Sequence, residues 1–392
     1  MSRHAPHTGG DDTVPYDREL IRSGGRSSSD RRRTAAARRP RPGTGAWEDR
    51  PRQRGGGLRT VGRILLVALL VAVVGAILLG VRAATFNATV TDTPFVSTAL
   101  LGPLNGGERV NVMMVGYGGA DHDGAYLADS IQVLSVDPRT DITTTIPIPR
   151  DLWIEGIDAF QQNGKVNEVF AVGQATTGTV DGAAQRLAEV VSAVTGLEIE
   201  HWLTIDFMGF RAMVDAVGGV TVDNPTGFCW TTGEDLHRAG RWEMGCFDAG
   251  RLELDGDEAL TYARARYTSV LDESTDFARS VRQARIMSAL RGSLGDGGIG
   301  AIGPGLALMD AMEGRVRTDL SAIDLFLLSG HVNGDRRLEL SEGPVLTATR
   351  NTIGQYILVP TGWSGPGSYG SIHAYLEAGL TEQIESPMPD AP

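Results

Sequence analysis

Ile64 to Val81 reads ILLVALLVAVVGAILLGV, eighteen consecutive residues without a charge. No other feature constrains the chain as strongly. As a helix, and extended by Ala83, Ala84 and Phe86, the run reaches about 30 Å, the thickness of the hydrocarbon of a bilayer. Sixty-three residues precede it, too many for a cleaved leader, and the apolar run is too long for the core of one. A surface-packed helix of a soluble core would carry a polar stripe, and this run carries none. One transmembrane helix over residues 62–84 follows.

Charge divides the chain at the same place. Residues 1–63 hold 15 arginines and 7 acids, leaving 21 of the 36 cations and 41 of the 48 acids to the remainder. Arginine-rich flanks stay in the cytoplasm. The N-terminus is therefore expected inside, and everything from about residue 83 onward outside, in a single-pass membrane protein. Residues 1–60 are rich in Gly, Ser, Pro and Arg and poor in apolar side chains, a composition that predicts a disordered cytoplasmic tail. Its RRRTAAARRPRP run suits anionic lipid at the membrane surface better than nucleic acid, so no nucleic-acid partner is expected.

Beyond the membrane segment, periodicity predicts strands in RVNVMMVGYG, DSIQVLSVDP, DITTTIPIPRD, HWLTIDF, VTV and YILVP. Helices are predicted in TVDGAAQRLAEVVSAVTGL, MGFRAMVDAVGG, DGDEALTYARARY and DFARSVRQARIMSALRGSL, around 304–313 and 319–331, and near 370–380. Strands alternating with helices imply a mixed α/β sandwich, forming one outer domain over residues 105–382. Residues 383–392, ending in SPMPDAP, read as a tail. Cys229 and Cys246 bracket a loop-like stretch on the oxidising side, where a disulfide is expected. Neither has a CxxC partner or a neighbouring His, which sets zinc and thiol catalysis aside.

Within this acidic domain, cations collect at strand and helix ends. Arg150 and Asp151 follow a strand, where sheets present ligand groups. Lys165, the only lysine in the chain, and Asn167 lie in a turn into a helix. Arg264 and Arg266 lie in YARARY. Asp276, Arg279 and Gln283 fall at spacings of three and four, on one helical face, with Arg282 toward its edge. The planar fork of arginine suits phosphate, and a lysine supplies a compact point charge, so the set predicts a pyrophosphate pocket. Pyrophosphate chemistry usually employs a divalent cation on oxygen ligands. Asp129 is the first candidate ligand for Mg2+, with Asp123 and Asp121 nearby; His122 reads as a loop residue.

In order, NVMMVG, LADSIQVLSVDP, IPRDLWI, KVNEVFAVG, HWLTIDFMGFRAMVDAVGGVTV, LDGDEALTYARARY and DFARSVRQ make the chain resemble the LytR-CpsA-Psr proteins, cell-envelope glycopolymer ligases. The resemblance covers about 105–291 and continues more weakly to 380. It implies an α/β/α sandwich with a mixed central sheet and a hydrophobic tunnel for a polyprenyl lipid. It also implies a Mg2+-dependent transfer of a glycopolymer phosphate from a polyprenyl-pyrophosphate carrier to peptidoglycan, releasing polyprenyl phosphate. By motif match, Arg150, Lys165, Asn167, Arg264, Arg266, Arg279 and Gln283 would bind the pyrophosphate. Asp129, with Asp123, would hold the metal. Arg150, Asp151, Asp276 and Arg279 would serve catalysis. Two positions depart from the family pattern: Gly118 stands where an Asp is usual, and Leu127 where an Arg is usual. The alternative for such a domain is a non-catalytic module that binds or senses polyprenyl phosphates; a transcriptional attenuator has only the cationic tail in its favour.

Overall fold

The computed structural model describes residues 57–95, 99–120, 122, 124–158, 160, 162–294, 302–331 and 336–385. The tail expected over 1–60 lies outside them up to residue 56, and so does residue 386 onward. Helix α1, Gly57–Val90, contains the apolar run. Its stretch Leu66–Val90 contains an 18-residue window with a mean hydropathy of 2.6, and the helix is long and apolar enough to cross a membrane. The helix outlasts the expected span because its last turns pack against the folded domain. Phe86 and Val90 are buried against Val316, with Ala322 and Leu325 packed around them. Arg82 forms an ion pair with Asp310.

The central sheet is mixed and six-stranded. In chain order its strands are β1 (Val110–Tyr117), β2 (Ala128–Asp137), β3 (Ile142–Pro147), β4 (His201–Asp206), β5 (Val316–Thr318) and β6 (Arg336–Arg337), arranged β5-β4-β1-β2-β3-β6. β1 runs antiparallel to β2 and parallel to β4. Alternation along β1 sends side chains to two different layers, as the pleat requires. Met113 and Val115 enter the core under helices α2 (Val166–Thr177) and α3 (Val180–Thr195). Val110 and Val112 enter a separate cluster with Leu100, Leu104, Leu320 and Leu328. Helices therefore cover both faces, the α/β/α layering expected.

α3 forms where its sequence asks for it. Thr179 caps it by accepting from the Gly182 amide at 3.1 Å, and Gly196 ends it at φ 71°. Ala183, Ala184, Leu187, Val190, Val191 and Val194, the predicted apolar face, are all buried. A second core lies among α4 (Phe207–Ala216), α5 (Gly256–Arg264) and α6 (Asp276–Leu294), with Val214, Ala259, Tyr262 and Ile286 at its centre. Helix α7, Gly370–Glu385, lays Ile372 and Leu376 onto the first core. Cys229 and Cys246 are register partners on adjacent strands and form the expected disulfide.

Candidate functional site

Four structural devices bring distant residues to one edge of the sheet. The first is a bulge. Gly116 pairs with Ser130 and Tyr117 with Ala128, so Asp129 has no partner across the ladder. Bulges re-aim side chains beside sites, and here the Asp129 carboxylate accepts from Arg150 Nη1 at 2.6 Å. The second is the end of β3, where the chain turns through Pro149 and carries Arg150 and Asp151 past the strand. The third is the end of α5, which delivers Arg264 and then Arg266. The fourth is the first turn of α6. Thr275 caps it by accepting from the Ala278 amide at 3.1 Å, placing Asp276 in the first turn and Arg279 and Gln283 on the face behind.

Arg266 Nη2 and Arg279 Nη1 lie 3.5 and 3.3 Å from the same oxygen, Asp276 Oδ1. Burial pushes the Asp276 carboxyl up; Arg279, Arg266, a hydrogen bond with the Asp151 side chain and Arg150 pull it down. The balance leaves it below the ordinary carboxylate value. Arg279 is almost wholly buried, and burial drives its guanidinium down to about 10 against the pull of Asp276, with Arg266 and Arg150 adding repulsion. Burial likewise lowers Arg264, with Asp129 opposing. Cations destabilised in this way gain most from a bound anion. Arg150 Nε is buried and has no hydrogen-bond partner, a donor that a phosphate oxygen would satisfy.

These groups line a cavity of about 260 Å³. A second, mostly apolar channel of about 520 Å³ runs between sheet and helices, walled by Met114, Leu203, Ile205, Phe210, Met213 and Met287 among others. Arg150, Arg266, Arg279, Asp129, Ser130 and Gln283 line both, so the cationic cluster stands where they meet. At that junction Ser130 Oγ donates to Gln283 Oε1 at 2.9 Å.

Not every predicted residue reaches a cavity wall. Lys165 Nζ sits 2.5 Å from Asp151 Oδ1, and Asn167 is buried beneath Arg150, its amide bonded to the Arg150 carbonyl at 3.3 Å. Neither lines either cavity. Asp121 and Asp123 lie outside the described residues. Among the described residues no three His, Cys, Asp or Glu side chains converge as a metal cluster. Asp129, Asp151, Asp276, Glu339 and Glu342 line the polar cavity without converging on one point, so a Mg2+ there would rest on one or two carboxylates and substrate phosphates rather than on an all-protein cage.

The two departures from the family pattern have local explanations. A Cβ at Gly118 would approach the His122 side chain to 3.0 Å, so the space an aspartate would need is filled by the imidazole. His122 Nε2 accepts from Arg264 Nη2 at 2.9 Å, and its ring meets Phe207 edge-on at 5.2 Å. Arg264 in turn stacks over Phe207 at 4.2 Å. The loop histidine thus orients an arginine, a role no periodicity announces. Leu127 is a wall residue of the apolar channel. Arg282, at the edge of the helical face, is wholly buried and braces the second core, with Nε donating to the Tyr262 carbonyl at 3.0 Å and Nη1 to Glu273 Oε2 at 2.6 Å. Tyr356, which donates to Glu342 Oε1 at 2.8 Å, also lines the polar cavity; its place inside the YILVP strand pattern hid it.

A mixed-sheet sandwich with an apolar channel ending in a buried arginine cluster is the class of architecture that fold and site define. The chain belongs to the LytR-CpsA-Psr family, whose model, LytR_cpsA_psr, matches residues 84–360. It is 30% identical over 226 residues to the polyisoprenyl-teichoic acid–peptidoglycan teichoic acid transferase TagU of Halalkalibacterium halodurans, an alignment covering 57% of this chain and 65% of that one. Against TagV of Bacillus subtilis, which bears the same transferase description, it is 30% identical over 164 residues, 42% of this chain and 38% of TagV. The chain thus spans less than two thirds of the length of these relatives. The fold is that of the Bacillus subtilis TagV crystal structure, with a TM-score of 0.52 and 21% identity over 72% of this chain and 99% of that one. A Streptococcus agalactiae protein superposes with a TM-score of 0.55 and 17% identity over 74% of this chain and 93% of that one.

Proposed function

We propose that this protein transfers a glycopolymer phosphate from a polyprenyl-pyrophosphate carrier to peptidoglycan. The observation that carries the reading is the meeting of Arg150, Arg266 and Arg279 at the junction of a polar cavity and an apolar channel. A pyrophosphate joined to a long hydrocarbon is the ligand whose two halves fit those two spaces. The transferase descriptions of the relatives supply the reaction class.

In this reading the polyprenyl chain occupies the channel, and the diphosphate lies against the three guanidinium groups. An acceptor hydroxyl oxygen bonds to the phosphorus nearer the glycan, the bridging P–O bond breaks, and polyprenyl phosphate leaves. The hydroxyl proton passes to Asp276, the carboxylate beside Arg266 and Arg279. Because those arginines hold its pKa low, Asp276 is a weak base. Most of the acceleration therefore falls to the arginines, which neutralise charge growing on the phosphoryl oxygens in a site of low dielectric. Lys165 acts through Asp151, fixing that carboxylate beside Asp276. Asp129 is the residue that would hold Mg2+, which when bound would supply further charge neutralisation to the diphosphate.

An arginine-rich N-terminal flank supports this reading, since such flanks stay in the cytoplasm and would leave the sandwich on the outer face of the membrane, where peptidoglycan lies. The test uses the full chain in lipid nanodiscs with a labelled polyprenyl-pyrophosphate glycan and peptidoglycan. Label should enter peptidoglycan with matching release of polyprenyl phosphate, and Arg150→Ala should slow this about 100-fold. Equal transfer by wild type and Arg150→Ala would overturn the assignment of the site; donor binding with no acceptor-dependent release would leave a carrier or sensor.

A further inference from the structure

A third cavity, about 620 Å³, lies outside the machinery described so far. It is an open groove with two tryptophans, Trp153 and Trp363, set among Asn163, Thr347 and Thr349. Its floor is one face of a hairpin formed by Leu346–Arg350 and Tyr356–Pro360. Thr347 pairs with Val359 and Thr349 with Ile357, and all four line the groove. Tyr356 and Leu358, which alternate with them, line the polar cavity instead. One strand of one hairpin is therefore the partition between groove and phosphate site.

Both indoles are held in place before any ligand arrives. Trp153 Nε1 donates to Glu155 Oε2 at 3.1 Å. Trp363 stands edge-on to Tyr369, ring centroids 5.7 Å apart. The Tyr369 hydroxyl accepts from the Glu155 amide at 3.0 Å, tying both tryptophans to one backbone segment. Both indoles remain only partly buried. Fixed, half-exposed aromatic faces flanked by hydroxyl and amide side chains suit a ligand with apolar faces and a polar rim. Pyranose rings have that form.

The groove also ends beside the reacting groups. Trp153 is the register partner of Lys165, and paired residues on adjacent strands leave the same face with Cβ atoms about 5 Å apart. Lys165 Nζ is in turn 2.5 Å from the Asp151 carboxylate.

We infer that this groove binds the glycan of the acceptor, a polymer of N-acetylated amino sugars, and presents its hydroxyl to the phosphate site. The inference rests on the transferase reading above and names where its second substrate lies. Charge favours the acceptor over the polyanionic donor polymer. Arg350 is the only cation among the described lining residues, its Nη1 donates to the Gly354 carbonyl at 2.6 Å, and Glu155 contributes a negative charge.

The test is a titration of the full chain with a tetrasaccharide of alternating N-acetylglucosamine and N-acetylmuramic acid, followed by tryptophan fluorescence and calorimetry. Wild type should bind saturably. Trp363→Ala, which removes a platform, and Thr349→Arg, which fills the groove from an exposed position, should each weaken binding about tenfold, some 1.4 kcal/mol. In the transfer assay both should raise the acceptor KM. Thermal unfolding checks that both variants fold. Equal affinity for wild type and both variants overturns the inference, as does preferential binding of a polyol-phosphate polymer in competition. Trp363→Ala in the transfer assay separates the two readings. If wild type transfers label while Trp363→Ala leaves the acceptor KM unmoved, the groove assignment falls and the transferase stands. If the tetrasaccharide binds through Trp363 and no label moves, the groove stands and the transferase falls.

Discussion

Lys165 Nζ and Asp151 Oδ1 are 2.5 Å apart, with the carboxylate 5% exposed and the lysine side chain 18% exposed. Arg150 Nε approaches the other oxygen, Asp151 Oδ2, only to 4.0 Å. The one lysine of the chain is thus a strut under the site rather than a wall of it. Removing one partner of a buried pair leaves the other charged and unpaired, at a cost of about 3 kcal/mol or more. Lys165→Met should lower the urea midpoint by that order at unchanged slope. Lys165→Arg keeps the charge but brings a planar fork to a space shaped for a compact ammonium. It should recover only part of the stability, and donor affinity should fall less than turnover in both variants.

Asp276 offers a pH prediction. Its folded-state pKa lies below the ordinary 3.8. A depressed carboxylate contributes stability that is fully present above the unfolded value and is lost as pH falls through the folded one. Between pH 7 and pH 5 wild type should therefore keep its stability at this site, and the loss should come below about pH 4. Asp276→Asn removes that acid-side dependence, leaving a shallower fall in melting temperature below pH 4 than wild type shows. In the transfer assay at neutral pH it should slow turnover by about 100-fold.

How much of this was legible in the sequence differs by kind of residue. Arg150, Asp151, Arg279 and Gln283 announced themselves because a strand end and a helical period each place charges predictably. The layered fold was legible for the same reason, since the apolar face of α3 and the alternation of β1 are local patterns. Asp129 was named as an acid, but the bulge that aims it comes from pairing between β1 and β2, which no local pattern specifies. His122 was read as a loop residue because its partners, Arg264 and Phe207, are far along the chain. Arg282 sits one position from a functional face and serves the core instead, a difference set by what packs opposite it.

The apolar channel predicts a dependence on chain length. Met287 projects from α6 into its wall. Met287→Trp adds bulk there without touching the arginine cluster, and overfilling a preformed space costs about 1–3 kcal/mol of binding. A long-chain polyprenyl pyrophosphate should lose about tenfold or more in affinity by calorimetry. A water-soluble short-chain pyrophosphate, held by its head, should lose little. Equal losses for both would place the hydrocarbon elsewhere.

His201, at the start of β4, is remote from the site and gives an opposite pH signature. Burial pushes its pKa down, but the hydrogen bond to Asp319 at 3.0 Å and the charges of Asp319, Glu200 and Asp324 together raise it above 6.5. A raised folded-state pKa contributes stability that is fully present below the unfolded value and is lost as pH rises through the folded one. Wild type should therefore exceed His201→Asn in melting temperature at pH 5.5 by more than at pH 8.5, the gap closing above about pH 7. Asp319 also accepts from the Trp202 amide at 2.9 Å, so Asp319→Asn should weaken the β4 edge at every pH while abolishing the histidine-linked part. A gap between wild type and His201→Asn that stayed constant from pH 5.5 to 8.5 would show that folding leaves the imidazole pKa unchanged, and that the Asp319 contact contributes no charge-dependent stability.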